Sequence, residues 1–314
     1  MTAYSRSIAI LGGTGFIGRA LCNQLSQQVQ TPSEIRVLTR QRARARPLWV
    51  LPRVQVAEVD YRNEASLAEG LAGCDAVINL VGLLHSRPGK PWGPDFDEAH
   101  VKLPARLARC MARHAIRRLV HVSAIGVASS APSMYLRSKA AGEALLRGAE
   151  SLSLTVLRPS VVFGPEDQFV RLFASLAKWL PFIPLASPHA RFEPIYVGDL
   201  VRAITRCLEE PKTIGQVFEL AGKDILTLYE VVHWAAAYSG HPRVIIPLAD
   251  GLAQIQALVM EHLPGPTLVS RDNLASATVP SVKSRPLSPL LGLEPLTRFH
   301  SAVPLMLGQS AKGR

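Results

Sequence analysis

The chain has 314 residues, 48% hydrophobic and 19% charged, a balance that can fill a core and excludes a long disordered polypeptide. With 35 basic residues against 24 acidic ones, its net charge of +11 suits an anionic partner (a phosphorylated cofactor, a nucleic acid or a membrane surface) as well as a plain soluble surface. Cys22, Cys74, Cys110 and Cys207 are scattered, with no metal-binding or disulfide pattern, so the expected compartment is reducing and no metal site is expected.

The first apolar run, SIAIL (7–11), reads as a strand, and too few residues precede it for a signal or transit peptide. A helical pattern, IGRALCNQLSQQ, follows. EIRVLTR (34–40) and VQVAEVD (54–60) read as strands, and EASLAEGLAG as a helix ending at Gly73. DAVINLVG (75–82), RLVHVSAIG (118–126) and SLTVLRPS (153–160) continue the strand series. Strands separated by helices, and nearly continuous in apolar residues, predict an α/β fold: a doubly wound parallel Rossmann sheet covered on both faces. After Arg158-Pro159 prolines become frequent. The expected organisation is a dinucleotide-binding domain over 1–163, with return segments near 190–222, and a smaller C-terminal substrate or interaction lobe over 164–314. Residues 215–240 hold one more β-α unit, and 264–300 read as irregular backbone with short helices. No apolar stretch reaches about 18 residues, the length of a spanning helix. LFASLAKWLPFIPLA (172–186) is short, carries Lys178 and is broken by Pro181 and Pro184. It fits packing in the second lobe, or peripheral contact with a membrane.

GGTGFIG places Gly12, Gly15 and Gly18 in a GxxGxxG spacing between the first strand and its helix. Gly12 permits the tight turn, Gly15 lets the backbone approach a pyrophosphate, and Gly18 lets helix and strand pack closely. Thr14, Phe16 and Ile17 complete the loop, and the helix N-terminus offers free N–H groups to phosphate. The competing reading is a structural turn. An NAD site commonly carries an acid at the end of the second strand. Here the strand ends in Thr39-Arg40, with Arg42, Arg44 and Arg19 in reach as helpers. Arg40 facing a 2′-phosphate predicts a preference for NADP(H), with NAD(H) left open; the alternative is a solvated arginine loop. Nucleic acid is not expected, because no aromatic residues interleave the basic ones. Asp60, followed by Tyr61, ends the third strand, either near the adenine amino group or as a helix cap. Asn79, Leu80, Val81 and Gly82 follow the fourth strand and line the cofactor through the main chain, or simply end a strand.

YLRSKAAGE puts Tyr135 and Lys139 four apart, on one face of a helix. A lysine beside a phenol can favour the phenolate and make a proton-transfer group. GGTGFIG, GCDAVINLVG, YLRSK, LRPSVVFGPED and PIYVGDLVRAI together resemble the extended short-chain dehydrogenase/reductase proteins of the NAD-dependent epimerase/dehydratase superfamily. HVSAIGV, GPEDQF and GQVFELAGKDILTLYEVV are similar to the atypical branch that contains the nucleotide-binding accessory subunit of mitochondrial complex I and its bacterial relatives. The resemblance reaches to about residue 240. It implies Tyr135 as acid/base, Lys139 as holder of the nicotinamide ribose, Ser123 as the substrate-orienting hydroxyl, Pro159 and Val162 as cofactor-binding, and Ser160 and Val161 near the nicotinamide end. It also exposes departures. Ile125 stands where the epimerases carry their working hydroxyl, and His100 stands about where the family asparagine falls. His85 and His100 are acid/base candidates or ordinary solvated or helix-facing histidines. Asp199 reads as a helix N-cap rather than a catalytic acid. Glu166 and Asp167 are expected to bound the substrate cleft.

Two functions are therefore expected. One is an NAD(P)-dependent oxidoreductase or nucleotide-sugar epimerase acting on a small molecule through Tyr135. The other is a cofactor-holding subunit, with little turnover, of a membrane-associated complex. The expected location is cytoplasmic, or peripheral to a membrane.

Overall fold

The computed structural model describes residues 7–28, 34–262, 267 and 269–308. Its centre is β1 (Ser7–Leu11), whose five residues are all buried. Alternation of side chains along a strand sends Ile8 and Ile10 to one face and Ala9 and Leu11 to the other. The first pair packs with Leu21 and Leu25 of α1 (Phe16–Gln27), and the second with residues of the opposite helical layer. β2 (Glu34–Thr39) and β3 (Val54–Glu58) extend the sheet on one side of β1. On the other side lie β4 (Ala76–Asn79), β5 (Arg118–Val122) and β6 (Ser153–Pro159). α2 (Glu64–Leu71) crosses from β3 to β4. The connection from β4 to β5 runs through α3 (Pro94–Phe96), a π-helical turn Asp97–Lys102 and α4 (Leu103–Arg113). α5 (Met134–Arg147) links β5 to β6.

Beyond β6 the chain leaves the sheet and returns. β7 (Val162–Phe163), α6 (Phe169–Trp179), β8 (Phe182–Leu185) and β9 (Arg191–Phe192) lead to β10 (Ile195–Tyr196), which pairs in parallel with β7. α7 (Val197–Glu209) then packs beside α1, and β11 (Val217–Leu220) adds a seventh strand next to β6. The order is β11-β6-β5-β4-β1-β2-β3, all parallel. It reverses between β1 and β4, which opens a crevice at the strands' carboxyl ends, where ligands bind in such sheets. β12 (Leu226–Thr227), α8 (Leu228–Tyr238), β13 (Val244–Pro247) and α9 (Asp250–His262) follow, then α10 (Arg271–Ala277) and α11 (Phe299–Met306). α6, α8, β8 and α11 share a second apolar core that includes Phe163, Val231 and Phe299. Among the described residues no helix is long and apolar enough to cross a membrane. All four cysteines are buried and free.

Strands β2 to β5 stop one to four residues before the apolar patterns do. At some of these ends side chains take over main-chain hydrogen bonds. At β4, for example, Asn79 Oδ1 accepts the Val81 N–H at 3.1 Å. Part of the 264–300 segment, residues 263–266 and 268, lies outside the described residues. The rest is irregular apart from α10, a 3-10 turn Pro289–Leu291 and the start of α11. Carboxylates hold it down: Glu193, Glu219, Asp199 and Asp224 accept the main-chain N–H groups of Lys283, Ser284, Thr297 and Phe299 respectively. This corrects the N-cap reading of Asp199. Tyr196 is the cap residue of α7, and the buried Asp199 carboxylate pairs with Arg202 at 2.8 Å and with Thr297.

The closest helix contact is between α5 and the π-helical turn. A Cβ at Gly142 would fall 1.7 Å from the His100 carbonyl oxygen, so only glycine allows the approach. Gly142→Ala should therefore force the two apart and lower the unfolding free energy by about 3 kcal/mol, the upper range for overpacking. Urea titration of the variant checks this; an unchanged midpoint would mean the seam is not tight.

Candidate active site

The glycine loop is built on absent side chains. Gly12 has φ +78°, and the Gly15 N–H donates to the Gly12 carbonyl at 3.0 Å. A Cβ on Gly12 would lie 3.1 Å from Leu80 C, and one on Gly18 would lie 2.4 Å from the Gly12 oxygen. The loop thus rests against Leu80 and Val81, and the helix rests against the loop. α1 starts at Phe16 with no side-chain cap and no acid in its first turn. Its leading N–H groups, from Phe16, Ile17 and Gly18, remain free to take an anion. Thr14, Phe16 and Ile17 are half-buried around them. These residues fit a dinucleotide pyrophosphate.

At the end of β2 no acid is present. Thr39 is buried with its hydroxyl on the Gln41 carbonyl, and Arg40 is exposed, with no ion-pair partner among the described residues. Arg42 and Arg44 follow on an exposed 3-10 turn. Arg19 is not available as a helper, because Glu166 pairs with it at 2.9 Å. This also moves Glu166 from the expected cleft wall to the start of α1. Asp167 is buried and accepts the Val170 N–H at 2.7 Å, so it secures the first turn of α6. Asp60 is exposed, its Oδ1 accepting the Arg62 N–H at 2.9 Å, and Asn63 caps α2 in its stead. The Tyr61 ring packs in the core, its hydroxyl donates to the Leu38 carbonyl at 2.5 Å, and burial, opposed by the Gly12 main chain and Arg40, pushes its pKa up to about 12.

The proton-handling groups gather between β4, β5 and α5. Ser133 caps α5, accepting the Leu136 N–H. Tyr135 is half-buried and Lys139 is buried one turn later. Lys139 Nζ donates to the Val122 carbonyl at 2.8 Å, and a Cβ on Gly82 would come within 3.9 Å of that nitrogen. Ser123, the next residue, is buried and its hydroxyl has no hydrogen-bond partner. A buried hydroxyl without a partner costs stability, and a bound oxygen would satisfy it. Pro159 ends β6 with its carbonyl accepting the Ile125 N–H at 3.0 Å. Val162 lies on β7, and Ser160 between them binds Ser281 of the C-terminal segment.

His100 is the group sequence reasoning underrated. It is buried, stacked on Phe96 at 5.2 Å and set edge-on to Tyr135 at 5.6 Å. Nε2 accepts the Leu83 N–H at 3.0 Å, so it carries no proton. Nδ1–H therefore donates to Ser138 Oγ at 2.8 Å, and Ser138 donates on to the Tyr135 carbonyl. Burial, with Lys139 and then His121 nearby, pushes the His100 pKa down to about 2. The ring is a neutral brace between the β4 loop and α5. His85 is half-buried on the same loop, with Nδ1 unpartnered and its pKa lowered by burial. Asp272 of α10 was not singled out from the sequence. It accepts the N–H groups of Met134 (2.6 Å) and Tyr135 (3.0 Å), placing a carboxylate on the positive end of α5. Its partners lie more than 130 positions away in the chain, and no local pattern could reveal them.

Burial also sets the other protonation states. The Tyr135 phenol is pushed up to about 12 by burial. The Lys139 ammonium is pushed down to about 8 by burial, opposed by the Glu143 carboxylate. Burial thus favours the phenol at Tyr135, while the Lys139 ammonium donates to the Val122 carbonyl.

A parallel sheet of this order, with a glycine loop at its switch point, defines a Rossmann-type dinucleotide-binding protein. The chain belongs to the NAD dependent epimerase/dehydratase family, whose sequence profile matches residues 8–221. It is 29% identical over 259 residues to the Dictyostelium discoideum NADH dehydrogenase [ubiquinone] 1 alpha subcomplex subunit 9, mitochondrial, covering 81% of this chain and 69% of that protein. The Mus musculus protein of the same name is 28% identical, with 76% of this chain aligned to 63% of it. A ceramide reductase of Caulobacter vibrioides is 31% identical over 255 residues, 80% of this chain and 77% of the relative. Among solved structures, the dTDP-glucose 4,6-dehydratase DesIV of Streptomyces venezuelae, with NAD and TYD bound, superposes with a TM-score of 0.74 at 21% identity. That alignment covers 96% of this chain and 95% of the other.

The buried neutral histidines give a pH dependence. His100 and His121 bind protons near 6.5 when unfolded but not when folded. The histidines' share of stability is therefore flat above that pH and declines as pH falls below it, by up to about 1.4 kcal/mol per pH unit per histidine. Between pH 7 and pH 5, urea unfolding should lose about 2 kcal/mol for each. His100→Asn should remove one share of that loss; an unaltered pH slope would mean His100 is protonated in the folded chain.

Proposed function

We propose that the chain is an NADP(H)-preferring oxidoreductase that works in the direction of carbonyl reduction, with Tyr135 as the proton donor. The observation that carries this reading is the unpartnered Ser123 hydroxyl, buried one residue beyond the carbonyl that anchors Lys139. A nicotinamide dinucleotide, when bound, supplies the hydride. Tyr135, held as a phenol, donates its proton to the oxygen that becomes a hydroxyl. Ser123 orients that oxygen, and its own unmet hydrogen bond is satisfied in doing so. Lys139 holds the ribose and Arg40 the 2′-phosphate, which an acid at the end of β2 would repel. The Caulobacter relative, named a reductase, supports the direction.

A second reading is a nucleotide-holding subunit of a membrane-associated complex, without turnover. It is supported by the likeness to complex I subunits and by Ile125, apolar and buried where a second hydroxyl was sought.

Fluorescence titration with NADPH and NADH tests the cofactor: NADPH should bind at least about tenfold tighter, and Arg40→Glu should erase the difference. Tighter NADH binding would end the NADP(H) proposal. For the chemistry, NADPH oxidation is followed at 340 nm with nucleotide-sugar and long-chain lipid carbonyl compounds. Tyr135→Phe should lower turnover by about 10²-fold or more while NADPH affinity stays within a few-fold. Ser123→Ala should lower turnover without destabilising the free protein, since it removes a hydroxyl that has no partner. No oxidation with any substrate, beside tight NADPH binding, favours the second reading.

A further inference from the structure

Half of the sixteen large apolar side chains left exposed among the described residues lie on the end of α6, the β8–β13 ribbon and α9: Trp179, Phe182, Val244, Ile246, Leu252, Ile255, Leu258 and Val259. α9 is inside out. Its alanines, Ala253 and Ala257, face the protein, while Leu252, Ile255 and Val259 are each more than 50% exposed. The parallel pair β8–β13 repeats the pattern, burying Ile183 and Ile245 and leaving Phe182, Val244 and Ile246 outside. Gln256 of α9 donates to the Pro184 carbonyl of β8, so ribbon and helix are neighbours. At the end of α6, next to the ribbon, Trp179 is 77% exposed, with Lys178 Nζ 5.8 Å from its ring centre.

We propose that this face docks on an anionic lipid bilayer. Large aliphatic residues outside and alanines inside are the reverse of what a water-facing helix requires. The charges select the occupant. Segments 168–189 and 240–262 carry Arg171, Lys178 and Arg243 against two acids, Asp250 and Glu261. Glu261 is neutralised by Arg271 at 3.0 Å, so the rim is net positive. An exposed tryptophan beside a lysine is the pair that settles at the headgroup level, ring at the boundary and ammonium in the anionic layer. The proposal does not depend on whether the chain turns over a substrate.

Flotation of the full chain with phosphatidylcholine vesicles, with and without 30% phosphatidylglycerol (roughly a physiological anionic fraction), is the test. The protein should float with the anionic vesicles and release at high salt. Ile255→Ser with Val259→Ser should cut binding by about a hundredfold, about tenfold for each buried side chain lost. Lys178→Glu should cut it by about fivefold or more. Val50→Ser, an exposed apolar residue elsewhere, should leave it intact, and circular dichroism confirms that each variant is folded. Failure to float, or equal binding by the double serine variant, overturns the proposal. So does a dimer in light scattering that the double variant dissociates, since the face would then join two copies of the chain.

Discussion

The site depends on one seam, where Gly142 of α5 lies against the His100 carbonyl. Any side chain at position 142 would occupy the space of that oxygen. Because the helix and the π-helical turn meet so closely, the His100 ring reaches both the Leu83 N–H and Ser138. The same approach fixes the rotation of α5, which points Lys139 at the end of β5 and sets Tyr135 edge-on to the Phe96 and His100 rings. The π-helical turn supplies the extra residue that brings His100 inward, a known use of such turns. The β4 loop and α5 are therefore coupled through the His100 carbonyl and ring.

Burial, more than charge pairing, governs the chemistry here. Lys139, His100 and Tyr135 each move toward the neutral form, the direction that desolvation imposes. Only Glu143 works against this for Lys139, and its carboxylate is shared with Arg158 at 2.6 Å. A neutral phenol beside a weakly basic amine is suited to giving up a proton, whereas a phenolate would be suited to taking one. The unpartnered Ser123 hydroxyl adds a directional group in the same dry region.

The C-terminal segment is bound to the rest by acids reaching main-chain N–H groups. Asp272 extends that pattern to α5, whose N-terminus it neutralises from α10. Asn273 on the same helix donates to the Leu84 carbonyl of the β4 loop. Two adjacent residues of α10 thus touch both α5 and the β4 loop. The outward apolar face of α9 connects to this contact through the Glu261–Arg271 pair, one residue from Asp272.

Strand and helix succession, the glycine loop and the Tyr135–Lys139 spacing were legible in the chain because each is a local pattern. Apolar period, glycine spacing and a one-turn interval need no knowledge of distant partners. The missing acid after β2 was legible for the same reason. What the patterns could not reveal depends on residues far apart in the chain. Asp199 looked like a cap, because an acid before an apolar run usually is one, yet its partner is Thr297. Arg19 looked free until Glu166 was beside it. The sequence by itself determined the sheet, its cofactor loop and the residue types in the site. Only the tertiary structure decided their protonation and orientation, because those follow from the solvent excluded and the neighbours met when distant segments pack.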